Sequence, residues 1–166
     1  ALPLRRDRYF LTLLVLLAAF VGWRAQYLDI PFYWDEAWVY APAVKAMEAN
    51  GVSILPDAIA PSLSRGHPLL FHALAGLWAT IFGTTAMSLH AFALTIAALL
   101  VLAVFIVGRT VASSEVALGA AAFVLTHEGF LAQSGLLLPE LLLALFSVLA
   151  LHQFLLRKTL GYAVFS

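Results

Sequence analysis

Residues 87–107 read MSLHAFALTIAALLVLAVFIV, a run without a single Asp, Glu, Lys or Arg. At about 1.5 Å of rise per residue, a helix of this length crosses a hydrocarbon core of about 30 Å. Three further apolar runs, each with a single charged residue, lie outward from it, at 9–26, 116–132 and 139–156. The composition agrees. Hydrophobic residues make up 63% of the 166 and charged residues 11%, where a soluble domain carries about a quarter charged. A surface solvated on every side cannot be assembled from that inventory. The fold class expected is therefore all-α, a polytopic transmembrane helical bundle of about four spans, with the lipid bilayer as its first partner.

Charge placement sets the topology. The doubtful segment is 68–82, which reaches only some 22 Å as a helix and is interrupted by His72. If it does not cross, Arg5, Arg6, Arg8, Arg109, Arg157 and Lys158 all fall in the cytoplasm, with Arg24, Lys45 and Arg65 outside. If it does cross, Arg109, Arg157 and Lys158 move outside and the bias reverses. Lys and Arg accumulate on the cytoplasmic side, so four spans with the N-terminus inside is the expectation. Segment 68–82 becomes a juxtamembrane helix, and 27–86 one long extracytoplasmic loop. The opening basic cluster followed by an apolar run has no small-x-small cleavage pattern and reads as an uncleaved first span. The apolar run beginning at 160–165 points to a longer polypeptide. With zero net charge and no basic groove, nucleic acid is not an expected partner. The absence of cysteine excludes thiolate catalysis and disulfides.

The chemistry gathers on the outer face. Asp35-Glu36 follows the aromatic pair Tyr33-Trp34 just beyond the first span. Within 37–50, Ala37, Ala41, Val44 and Met47 recur at helical spacing and Gly51 supplies a stop. Asp35 then sits where a carboxylate caps a helix, or where a general base can meet a membrane-borne substrate. Glu140 begins the last span after Pro139, and an ionisable group at membrane depth is a functional candidate. Arg65-Gly66-His67-Pro68 joins a permanent cation to a titratable ring at a helix start, a pattern that suits an anion and equally a snorkelling arginine beside an ordinary helix cap. His127-Glu128 is not a metalloprotease motif, because Leu131 stands where the second histidine is needed. His72, His90 and His152 are isolated and read as helix-packing or interfacial residues. A transporter is disfavoured, since no span is broken by paired Gly or Pro.

Three of these segments, in this order, resemble a known family. Trp34-Asp35-Glu36, then His67-Pro68-Leu69-Leu70, then FVLTHEGFLAQSGLLLPE over 123–140 are similar to the protein O-mannosyltransferases and their bacterial relatives, the aminoarabinose lipid A transferases. These are GT-C fold glycosyltransferases. The resemblance implies transfer of a sugar from a polyprenyl-phosphate carrier to a protein or lipid acceptor at the extracytoplasmic face of a bacterial plasma (inner) membrane. It assigns catalysis to Asp35 and Glu140, and substrate contacts to Glu36, Arg65, His67 and Gln133. It implies no cofactor beyond the lipid-linked donor. A divalent metal stays open: Asp35-Glu36 could contribute oxygen ligands, although a full set is not evident. Gly135 stands where many of the mannosyltransferases have Arg, and Glu140 where Asp is usual. The competing expectation is a non-catalytic scaffold of the same fold, acting with partner subunits in a membrane complex.

Overall fold

The computed structural model describes residues 7–66 and 68–156. Arg5, Arg6, His67, Arg157 and Lys158, which enter the charge and motif arguments above, lie outside the described residues. The elements are α1 (Arg8–Ala25), a π-helical turn (Glu36–Tyr40), α2 (Ala41–Asn50), α3 (Pro61–Ser64), α4 (Leu70–Phe82), α5 (Ala86–Val111), α6 (Ser114–Thr126), α7 (Glu128–Gln133) and α8 (Glu140–Leu155). The described chain is an all-α bundle.

Side-chain oxygens start three of the helices by taking free backbone N–H groups. Asp7 Oδ1 accepts from Tyr9 N–H at 3.0 Å, Thr85 Oγ1 from Ser88 N–H at 3.2 Å, and Ser113 Oγ from Val116 N–H at 3.3 Å. The turn before α2 has a different cause. Proline has no N–H and its ring clashes with the carbonyl four residues back. Pro42 stands six residues after Glu36, and the helix ahead of it widens so that Ala41 N–H reaches the Glu36 carbonyl, five residues away.

At 26 residues, α5 is the centre of the bundle. It packs against α6 and α8 along its length, and against α1 and α4. Gly108 permits the closest approach: a Cβ there would lie 2.9 Å from Ala117 Cβ and 3.0 Å from Ala117 Cα. Leu13, Leu17 and Phe20 of α1 join Leu100, Val101 and Phe105 of α5 in one apolar core that also takes in Leu141, Leu142 and Leu145 of α8. Phe20 meets Phe130 of α7 at 5.5 Å between ring centroids.

Two helices, α1 and α5, are long and apolar enough to cross a membrane among the described residues. The other two expected spans are shorter. The run 116–132 is not one helix: α6 stops at Thr126, His127 is extended (φ −72°, ψ 126°), and α7 begins at Glu128. A helical 127 would continue the ladder, and Gly129 just beyond it weakens that continuation. The fourth run yields the 16 residues of α8. Segment 70–82 forms α4, which buries Phe71, Ala75 and Ala79 while exposing Leu77, Ile81 and Phe82.

Polar contacts fix the relative directions. The start of α1, the end of α5 and the start of α6 meet where Asp7 Oδ2 accepts the Ser114 hydroxyl and lies 3.3 Å from Arg109 Nε. Arg109 Nε also donates to Ser114 Oγ at 3.1 Å. The end of α1, the start of α5 and the approach to α8 meet at the opposite end, around Glu36. The Ser114 hydroxyl, with the Tyr9 N–H and the Arg109 charge against the opposing effect of burial, holds the Asp7 carboxyl below its ordinary value of 3.8. A lowered folded value stabilises the bundle above the unfolded one and ceases to do so as pH falls through it. The difference in thermal midpoint between wild type and Asp7→Asn in detergent should therefore hold steady from neutral pH to about pH 5 and shrink by about pH 3. A difference that grows on acidification contradicts this assignment.

Candidate functional site

The adjacent acids Asp35 and Glu36 point to opposite sides of the chain. Glu36 is 1% exposed, whereas Asp35 is exposed to solvent. The Glu36 carboxylate is fully engaged. Oε1 lies 3.0 Å from His90 Nε2 and accepts Leu137 N–H, while Oε2 accepts Tyr33 N–H at 3.1 Å. His90 is itself 0% exposed, with Nδ1 2.8 Å from the Leu28 carbonyl. Phe32 closes over the ring edge at 5.4 Å. One buried carboxylate thus ties together the loop after α1, the N-terminal part of α5 and the connection into α8.

His90 is therefore not the packing residue that an isolated histidine in an apolar run suggests. Its partner lies 54 positions away in the chain, and no local spacing signals it. Glu36, to which the resemblance gives a substrate contact, spends both oxygens on protein donors. Asp35 does not cap the following helix: it is itself helical (φ −61°, ψ −26°) and makes no capping bond. The residue before it, Trp34, is held at φ +48°. A bulky side chain in the left-handed region costs about 1–3 kcal/mol and persists only where its surroundings over-determine it. Here the turn is closed by Glu36 N–H to the Tyr33 carbonyl at 3.0 Å and by the Glu36 carboxylate returning to Tyr33 N–H.

Around Asp35 the surface is aromatic. Tyr33, Trp34 and Trp38 are 70%, 73% and 75% exposed. Tyr40, on the same π-helical turn, is buried, and burial raises its phenol above the ordinary range, with the negative charges of Glu140 and Asp35 adding to the shift. The phenol therefore stays protonated. Glu140 is exposed in the first turn of α8. Arg65 is exposed at φ +48° just after α3, a short element that packs beside the π-helical turn. His67 lies outside the described residues.

Gln133 stands apart from this cluster. It lines a cavity of about 300 Å³ between α5, α6, α7 and α8, together with Phe123, His127, Phe130 and Leu141. Beyond it, Gly135 makes room for Arg24: a Cβ at 135 would lie 2.7 Å from Arg24 Nη2. The guanidinium sits over the rings of Trp23 and Tyr27 at 5.5 and 5.8 Å. Among the described residues no three His, Asp or Glu side chains gather where they could hold a metal ion.

Comparisons with protein-family models, with curated proteins and with solved structures return no match.

The two acids should respond oppositely to truncation. Glu36→Ala strands the His90 ring and the Leu137 and Tyr33 N–H groups, and breaking such a buried pair costs on the order of 3–5 kcal/mol. Asp35→Ala, at an exposed position, should change stability by less than about 0.5 kcal/mol. Unfolding in mixed detergent micelles measures both, and equal losses would remove the distinction between anchor and exposed acid.

Proposed function

We propose that this chain is the catalytic-face portion of a membrane-embedded GT-C glycosyltransferase, with Asp35 as general base toward a polyprenyl-phosphate-linked sugar. The observation that carries the proposal is the mounting of Asp35. An exposed carboxylate is fixed on a strained turn, amid exposed aromatic side chains, by a buried neighbour that bonds to α5 and to the approach to α8. Active sites are assembled from separate segments converging in this manner.

The membrane reading draws on the apolar exterior. Leu11, Leu14 and Val15 of α1, Phe123 of α6 and Leu143 of α8 are exposed, an outer surface suited to lipid. Four crossings with the N-terminus inside remain part of the proposal. The supporting features are the lysine and arginine distribution and the two polar clusters at opposite ends of the bundle. The shorter α6 and α8 then cross with help from α7 and flanking turns. Tyr33, Trp34 and Trp38 sit at headgroup level, where amphipathic rings are favoured.

In this scheme the acceptor hydroxyl gives its proton to Asp35 as its oxygen bonds to the anomeric carbon of the sugar. The bond from that carbon to the carrier phosphate breaks, and polyprenyl phosphate leaves with the electron pair. The protein's task is position and charge, because the phosphate is already a good leaving group. Arg65, exposed just after α3, is the cation assigned to the departing phosphate. Glu140, exposed in the first turn of α8, orients the acceptor.

Asp35→Asn keeps size and removes the base. Sugar transfer from a polyprenyl-phosphate donor should fall by about 10²–10⁴-fold with insertion and donor binding retained. Asp57→Asn, in an exposed loop outside the motifs that carry the resemblance, should transfer at the wild-type rate. Undiminished transfer by Asp35→Asn would end the assignment of Asp35 as base.

A further inference from the structure

The Glu36–His90 contact admits a proton count. A neutral imidazole carries one N–H and one lone pair. Both ring nitrogens of His90 nevertheless face oxygen acceptors, Leu28 O at 2.8 Å and Glu36 Oε1 at 3.0 Å. If Nε2 held the only proton, the Nδ1 lone pair would oppose the Leu28 carbonyl. If Nδ1 held it, the Nε2 lone pair would oppose an ionised carboxylate. Each arrangement leaves two lone pairs face to face in a site sealed from water, where an unsatisfied polar contact is most costly.

One further proton removes the conflict. It can rest on the ring, giving imidazolium beside carboxylate, or on Glu36 Oε1, which then donates to Nε2 while Nδ1–H donates to Leu28 O. The pair is net neutral in both forms. That satisfies the demand that a buried charge be compensated, and it leaves Asp35 as the acid of the Asp-Glu pair that is free to take a proton.

We propose that Glu36 and His90 share one proton as a net-neutral clamp and that His90 is a positioning residue for Asp35. The positioning part rests on the glycosyl-transfer reading above; the proton count does not. The clamp acts through the backbone. Glu36 Oε2 binds Tyr33 N–H, so the residues on either side of Trp34-Asp35 are tied to each other. His90 and Leu137 then tie that loop to α5 and to the approach to α8. Asp35 cannot shift without breaking one of these bonds or releasing the strained Trp34.

Two measurements test the proposal. Nitrogen NMR of ring-labelled histidine in the intact chain in lipid nanodiscs, at neutral pH, reads the ring directly. The expected result for His90 is either two protonated ring nitrogens, or one together with an un-ionised Glu36 carboxyl seen by infrared difference against Glu36→Gln. One protonated nitrogen beside an ionised Glu36 overturns the shared proton. The second measurement is transfer from a panel of polyprenyl-phosphate-linked sugars by Glu36→Asp and His90→Gln. A misplacement of about 1 Å costs on the order of 10²-fold, so turnover at saturating donor should fall by about that factor with the donor KM unchanged. Full turnover in both variants, with Asp35→Asn inactive, overturns the positioning role alone. Full turnover in Asp35→Asn as well removes the catalytic reading instead.

Discussion

A carboxylate buried to 1% exposure is the constraint around which one end of this molecule is arranged. An ion of that size loses several kcal/mol of hydration on burial, recovered only when every lone pair finds a donor. Glu36 finds its partners on Tyr33, His90 and Leu137, which belong to three separate stretches of chain. Satisfying Glu36 therefore decides where α5 starts relative to the end of α1, and where the connection 134–139 must run. It also decides the orientation of Asp35: with its neighbour turned inward on a helical turn, Asp35 is directed out.

The opposite end is closed by a smaller cluster of the same kind. Asp7 caps α1, takes the Ser114 hydroxyl and pairs with Arg109. Between the two clusters the contacts are apolar, with small residues setting the spacing where Gly108 passes Ala117. In the proposed membrane setting, apolar side chains pack as readily on lipid as on one another, so they would give such a bundle little directional preference. The polar clusters supply it, each joining elements distant in sequence. That division of labour separates the part of the chain that needs only to be apolar from the part that needs particular residues.

The sequence discloses the first kind of residue well and the second poorly. The runs at 9–26 and 87–107 become α1 and α5 nearly as read, because hydropathy alone specifies a helix with nothing to break it. The interval 37–50 becomes helix, with Ala41, Val44 and Met47 buried as their spacing implies. What stayed hidden depends on partners remote in the chain. In a loop without periodicity, nothing distinguishes Asp35 from Glu36 until His90 and Leu137 arrive. The break at His127 was hidden for another reason, since the surrounding residues remain apolar while the backbone turns. Pro42 was visible and its consequence was derivable: a proline inside a helical interval must displace the ladder before it. The π-helical turn bearing Glu36 and Tyr40 is that displacement.

The claim at the centre of this account is that two adjacent acids are separated into an inward anchor and an outward base. The chain contains no cysteine, so single cysteines at 35 and 36 can be probed without background. The measurement is the rate of labelling by a membrane-impermeant thiol reagent, from each side of sealed vesicles, in protein that elutes as wild type. The account predicts rapid labelling of Asp35→Cys from the extracytoplasmic side alone, and protection of Glu36→Cys until the protein is denatured. Equal labelling of the two positions, or labelling of Asp35→Cys from the cytoplasmic side, would contradict it.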